Sequence, residues 1–253
     1  MGTRFAGKLR HFPQVDSTST LLLEAAASGA AEGTAYLADE QTAGRGRGGH
    51  AWHSAPGDGL YLSVLAKPYL LLRDALHLSL ATGLAAQSAI RSTTGLTADI
   101  RWPNDILIGT KKCGGILVET AANPGHNAPL RYAVIGIGLN LNHSELPPEL
   151  STLATSLRLE TGHAIARQPL LIALLRALDH ELTRLESTSA TDEPTLLERF
   201  TAASTWVCGK RVQVPEQGGY TGTTAGLDSR GFLLVNTDDG NQRTVLSGGV
   251  REL

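Results

Sequence analysis

The stretch "EQTAGRGRGGHAWHS" (Glu40–Ser54) sets two arginines into a run of glycines and ends on a tryptophan between histidines. A dinucleotide-binding glycine loop opens a helix and is followed by an acidic residue about 20 positions on. Here "GRGRGG" (Gly44–Gly49) runs into "HAWHSAPGDG", which starts no helix. A Walker loop needs Gly-Lys-Ser/Thr, and the chain lacks that triplet. Neither phosphate-binding loop is therefore present.

Working outward, "GTAYLADE" (Gly33–Glu40) alternates like a strand, and "GLYLSVLAKP" (Gly59–Pro68) reads as a buried strand closed by proline. Upstream, "KLRHFPQV" (Lys8–Val15) looks like a strand, and "DSTST" (Asp16–Thr20) opens a helix that stops near Gly29. Downstream, Leu71–Ser92 carries apolar residues at helical spacing. Three strand-like runs follow, "ADIRW", "KKCGGILVET" and "LRYAVIGIGLNLN", with "PNDILIGT" as the turn between the first two. From Pro169 to Ala203 the pattern is helical again. After Trp206 short strands alternate with turn residues, as in a small β-barrel. This places a boundary near Thr205, giving units 1–204 and 205–253, the second leaning on the first because so small a barrel is marginal alone.

The chain has 253 residues, 42% hydrophobic and 18% charged, with a formal net charge of −2. That balance suits a globular core and disfavours a general nucleic-acid binder, which is usually basic. Cys113 and Cys208 lie far apart without metal-ligand spacing, which fits a reducing compartment. The N-terminus has no apolar core of the secretory kind, and no apolar run approaches the roughly 20 residues needed to span a bilayer. A cytoplasmic protein, without a membrane or nucleic-acid partner, is expected.

Each chemical motif has a plain structural reading beside a functional one. The glycine loop is either an ordinary surface loop or a lid. Arginine forks make bidentate bonds to carboxylate or phosphate. Ordering such a loop costs roughly 1–2 kcal/mol per residue, which charge-assisted bonds of about 1.5–3 kcal/mol each offset only in part. A loop without order of its own, closing over anions, is the expectation. "PND" makes a good turn and "KK" a solvated strand edge. Gly114–Gly115 inside an apolar strand instead suggests close approach of something to the backbone, with Lys112 beside it as a cation for a phosphoryl group. "DSTST" is an ordinary N-cap when taken alone. Gly136 and Gly138 leave one strand face bare, and Asn140 ends that face. His50 and His53 lack a third metal ligand, and Cys113 has no partnering base, so it reads as packing.

Together, "DSTS", "EQTAGRGRGGHAW", "RWPND…KKCGGILVE" and "IGIGLNLN" resemble the biotin–protein ligase family, and the C-terminal "GLDSRGFLLV…VLSGGV" is similar to that family's last domain. The resemblance implies an α+β fold: a mixed-sheet catalytic domain of the class II synthetase-like kind, then an SH3-like barrel. It implies that biotin and ATP, with Mg²⁺, form biotinyl-5′-AMP and pyrophosphate, and that a lysine of a biotin carboxyl carrier domain of acetyl-CoA carboxylase then takes the biotin. Under it, Ser17, Thr18 and Gln41 meet the ureido ring, while Ser19, Gly44, Gly114, Gly115, Gly136 and Gly138 also border biotin. Arg45, Gly46 and Arg47 cover the carboxylate and phosphates. Lys112 sits at the reacting junction, and His50, Trp52, Asn104, Asp105 and Asn140 lie on the adenylate side, Asp105 organising the metal or the local turn.

Two departures stand out. Ser19 replaces an asparagine usual in the family, which alters how the pocket is braced. His50 stands where arginine is frequent, removing a fixed cation, so that retention of the intermediate is weaker or pH-sensitive. The catalytic pattern begins within about 10 residues of Met1, so the form without an N-terminal DNA-binding domain is expected, as monomer or homodimer. The rival readings are a lipoate or octanoate ligase, a non-catalytic biotin sensor and a nucleotide-binding scaffold.

Overall fold

The structure, a computed structural model, describes residues 2–125, 128–187, 193–215 and 218–253. The larger unit runs β1 (Leu9–Val15), α1 (Thr18–Ala27), β2 (Ala35–Gln41), β3 (Gly59–Ala66), α2 (Leu76–Thr94), β4 (Ala98–Arg101), β5 (Asp105–Ile108), β6 (Lys111–Ala122), β7 (Leu130–Asn140), α3 (Leu157–Thr161), α4 (Arg167–Glu186) and α5 (Leu196–Ala203). Its sheet has the order β1-β2-β3-β7-β6-β5-β4. Only β1 and β2 run parallel, joined through α1, and the remaining neighbours are antiparallel.

The two faces of this sheet are covered unequally. Leu37, Leu62, Val64 and Ile135 point toward α2 and α4 and join the large core. Their strand neighbours Tyr36, Leu65 and Val134 point the other way and meet only Leu22 and Ala26 of α1 among buried apolar residues. Helix α1 has 10 residues. It starts where the Ser17 side chain accepts from Thr20 N–H, and Gly29, with φ 91°, follows its C-cap. So short a helix leaves the far end of β3, β6 and β7 uncovered on its face.

Most elements stand where the sequence puts them. The exceptions are short ones. "PNDILIGT" is not one turn: Trp102–Asn104 make the turn and Asp105–Ile108 form β5, paired in register with β4. Helix α3, capped by Ser156 and stopped by Gly162 at φ 78°, spans only five residues and carries too little periodicity to read. Residues 188–192, within the stretch expected to be helical, lie outside the described residues.

The C-terminal strands β8 (Cys208–Val214), β9 (Tyr220–Leu227), β10 (Leu233–Thr237), β11 (Gln242–Val245) and β12 (Arg251–Glu252) form an antiparallel sheet in the order β11-β10-β9-β8-β12. The stretch "QRTVLSGGVREL" holds both β11 and β12. Val212, Val214, Leu233, Val235, Val245 and Val250 belong to the same core as the larger unit. Trp102 Nε1 donates to Gly231 O at 2.9 Å, a bond between the two units. No described helix is long and apolar enough to cross a membrane.

His143, just beyond β7, is buried. Burial holds its pKa below the ordinary value, with His53 lowering it further and Asp58 opposing. A base with a depressed folded pKa keeps its full stability above the unfolded pKa of about 6.5 and loses it as pH falls below that. Thermal midpoints should therefore drop between pH 7.5 and 5.5, by no more than about 1.4 kcal/mol of stability per pH unit for this group. His143→Gln should flatten the profile. An equally steep profile in the variant assigns the effect elsewhere, for instance to His77, which is shifted the same way by burial.

Candidate functional site

The uncovered end of the sheet is a pocket, and the glycines make its floor. A Cβ at Gly136 would stand 2.6 Å from Ser19 Oγ, and one at Gly138 would stand 2.6 Å from the Trp52 indole nitrogen. At Gly115 it would meet the same indole at 3.1 Å. Gly115 pairs with Gly138 across the strands, so the three clearings share one face. Gly114 does not. Its Cβ would strike Leu139 Cδ2 at 2.5 Å on the opposite, core-facing side. Strand alternation sends adjacent glycines to opposite faces, so only Gly115 of the pair borders the pocket.

One end of the pocket is neutral and hydrogen-bonding. Gln41 Oε1 accepts from the Thr18 amide at 2.9 Å and from Thr18 Oγ1 at 3.1 Å, while its amide donates to Ser54 Oγ at 2.9 Å. Ser63 Oγ bridges Thr18 Oγ1 (2.8 Å) and Ser19 Oγ (3.0 Å). Ser17, Thr18, Ser19 and Ser63 are all buried. Buried hydroxyls locked in this way present fixed donors and acceptors without net charge. Tyr61, beside them, donates to Ala55 O, and burial raises its pKa, so it stays a neutral phenol.

The other end is cationic. Lys112 Nζ lies 2.5 Å from Asp105 Oδ1 and 5.4 Å from the centre of the Trp52 ring. Asp105 Oδ2 also accepts from Arg101 Nη2 (2.6 Å) and Nε (3.1 Å). Arg45 forks onto Glu119 of β6, at 2.6 and 3.1 Å. Arg47 Nη1 donates to Gly248 O of the C-terminal unit at 2.6 Å.

The glycine loop does not match the expectation of a segment without order. It folds back as a narrow hairpin: Arg45 bridges Ala51, Gly46 N–H donates to His50 O (2.7 Å), and Trp52 N–H donates to Gly44 O (2.8 Å). Gly48 and Gly49, with φ 66° and 80°, make the reversal. The expectation omitted these internal bonds and the Arg45–Glu119 pair, which hold the loop across the pocket mouth.

The pocket brings together Ser17, Thr18, Ser19, Gln41, Arg45, Gly46, Arg47, Trp52, Asn104, Lys112, Gly115, Gly136 and Gly138. Gly44, Gly114, His50, Asp105 and Asn140 stand outside its lining. Gly44 packs in the loop base, where a Cβ would lie 2.5 Å from Trp52 O, and His50 is exposed. Asp105 acts on Lys112 from behind. Asn140 turns its amide to Thr155 O (2.9 Å) and is buried there. Asn104 staples β6, donating to Ile116 O at 3.0 Å. Sequence reasoning missed Ser63, Tyr61 and Glu119. Ser63, a hydroxyl in a fully buried apolar strand, was the one legible sign. Cys113 is buried with its pKa pushed up to about 12, inert as a nucleophile. An adjoining cavity shares Arg47, Asn104, Ile116 and Leu117 and runs on past Ser79 and Pro103 to Phe232.

The chain is similar to known proteins in sequence and fold. A model of the "Biotin/lipoate A/B protein ligase family" matches residues 11–140, and one of the "Biotin protein ligase C terminal domain" matches residues 207–250. The bifunctional ligase/repressor BirA of Bacillus subtilis is 34% identical over 229 residues, covering 89% of this chain and 68% of that protein. The biotin–[acetyl-CoA-carboxylase] ligase of Mycobacterium tuberculosis is 33% identical over 244 residues, 93% of this chain and 85% of that one. The solved structure of the Aquifex aeolicus biotin protein ligase in complex with biotin and ATP superposes with a TM-score of 0.80 at 30% identity, covering 98% of this chain and all of that one. With its glycine-floored pocket, its cationic mouth and both family segments in their order, this chain belongs to the biotin protein ligase family.

Proposed function

We propose that this chain activates biotin with ATP and passes it to a lysine of a biotin carboxyl carrier domain, that of acetyl-CoA carboxylase, in the cytoplasm. The observation that carries the reading is the polarity of one pocket: buried neutral hydroxyls at one end, a bare glycine floor, and Lys112, Arg45 and Arg47 at the other. Ser17, Thr18, Ser19 and Gln41 hold a ureido group, which needs donors and acceptors without charge. The apolar chain of the acid crosses Gly136, Gly138 and Gly115, and its carboxylate ends at Lys112.

The carboxylate and the triphosphate repel each other, and the cations stand between them. A carboxylate oxygen attacks the α-phosphorus and pyrophosphate leaves. The carrier's lysine amine then attacks the acyl carbon, AMP departs, and the amine loses its proton. Arg45 and Arg47 exchange Glu119 and Gly248 O for substrate oxygens, and the loop they ride on shields the adenylate from water. Trp52 and Asn104 border the adenylate, and the buried Trp52 indole N–H, which has no hydrogen-bond partner among the described residues, is a donor suited to it. Asn140 works by bracing the Thr155 segment. Among the described residues no group of three or more His, Cys, Asp or Glu side chains is placed to hold a metal. Mg²⁺ would arrive on the triphosphate, as a counter-charge to it. The division at Thr205 separates the catalytic unit from a supporting C-terminal one.

The test is ATP–pyrophosphate exchange without any acceptor, with biotin, lipoate or octanoate supplied in turn. Exchange is expected with biotin alone. Exchange with lipoate or octanoate would overturn the substrate and keep the chemistry. Biotin binding without exchange would leave a sensor.

A further inference from the structure

Lys112 does not stand alone, and its support leads out of the catalytic unit. Its ammonium shares Asp105 with Arg101, and the Arg101 guanidinium lies over the Trp206 ring, 5.4 Å from its centre. Trp206 belongs to the C-terminal unit and is buried. Lys210 Nζ lies 5.1 Å from the same ring and pairs with Glu252 of β12 at 2.6 Å. The joint itself is pinned to β4. Ser204 Oγ donates to Ile100 O (2.5 Å), and Thr205 donates to both Asp99 oxygens, from its amide (3.0 Å) and its hydroxyl (2.6 Å). From ring to ammonium the contacts are continuous: Trp206, Arg101, Asp105, Lys112.

We propose that Arg101 and Trp206 are positioning residues for Lys112, so that the C-terminal unit sets the geometry of the reacting lysine. The proposal rests on the function proposed above. One carboxylate faces two guanidinium or ammonium groups, so the cluster keeps a net positive charge for an incoming anion. Without Arg101, Asp105 neutralises Lys112 alone and draws it off the pocket floor. Trp206 acts one step earlier. Stacking on an indole fixes the plane of a guanidinium, and that plane determines whether Nε and Nη2 both reach Asp105 Oδ2. A residue with no place in the pocket lining thus governs a rate inside it.

The test compares Trp206→Leu, Trp206→Phe and Arg101→Gln in the full chain by biotin-dependent pyrophosphate exchange, with thermal midpoints measured alongside. Trp206→Leu and Arg101→Gln are expected to lower kcat about tenfold with KM for biotin within twofold. Trp206→Phe, which keeps a ring face, should recover most of kcat. In a Lys112→Ala background, adding Trp206→Leu should lower the residual rate no further, since the relay has nothing left to position. Losses that multiply in the double variant would overturn the proposal, as would a Trp206→Leu enzyme with a lower midpoint but an unchanged kcat per folded molecule. A parent enzyme without biotin-dependent exchange would sink the proposal and the function together. A parent that exchanges, with Trp206→Leu at parental kcat, removes the relay alone.

Discussion

Replacing Lys112 by alanine is expected to lower the kcat of biotin-dependent pyrophosphate exchange about 10²–10³-fold, the usual loss for one preorganised charge at a reacting centre. The fold should survive. Lys112 is about one-third exposed (32%), its ion pair with Asp105 is of the kind that contributes about 0–1 kcal/mol, and Arg101 still pairs with the carboxylate. Biotin affinity should fall far less than kcat: the carboxylate loses one cation, but the hydroxyl and amide set around Gln41 and Ser63 at the other end of the pocket is untouched. Arg45 and Arg47 do not compensate: both ride on the glycine loop above the pocket, and neither replaces an ammonium carried by β6 beside the floor. Lys112→Arg should recover little, since a planar fork in place of a compact ammonium changes both reach and angle. Exchange kinetics and calorimetric biotin binding together decide it. A kcat within about threefold of the parent removes Lys112 from the chemistry, while a parallel loss of biotin binding makes it a binding group only.

How much of this was legible beforehand follows from the range of each interaction. The alternation of Gly136 and Gly138 on β7 is a local pattern, and it marks the bare face correctly. The adjacent pair Gly114–Gly115 is ambiguous in sequence, because adjacent residues take opposite faces and only the register with β7 says which one meets the pocket. Strand β5 was lost because four residues next to a turn look like more turn. The loop's order was missed for another reason. Glycine entropy and ligand contacts are visible in the loop's own residues, whereas its hairpin bonds and the Arg45–Glu119 pair, 74 positions apart, appear only in the folded chain. The relay from Trp206 to Lys112 had no sequence signature at all. Trp206 and Arg101 are separated by the whole helical stretch and meet only because β4 and the joint are stapled through Asp99.

Gly136→Val is expected to weaken biotin binding by about 10–100-fold, corresponding to the roughly 1–3 kcal/mol that overpacking a filled site costs. The backbone tolerates the change: Gly136 is in mid-strand without a positive φ, where a β-branched residue is at ease. The obstacle is space. The new Cβ would stand 2.6 Å from Ser19 Oγ and 3.5 Å from Leu117 O, with its two methyls still to be housed. Ser19 cannot retreat freely, since it is buried and bonded to Ser63 at 3.0 Å. The side chain therefore displaces what the pocket is meant to hold, or breaks the hydroxyl set that reads it. Gly114→Ala is the control. Its Cβ meets Leu139 Cδ2 at 2.5 Å on the core side, so it should lower the thermal midpoint without selectively weakening biotin. Measured by calorimetry on folded protein, the two variants separate a pocket wall from a core contact. If Gly114→Ala weakens biotin as much as Gly136→Val does, the acid lies on the other face of the sheet, and the assignment of Ser17, Thr18, Ser19 and Gln41 to its ureido group fails with it.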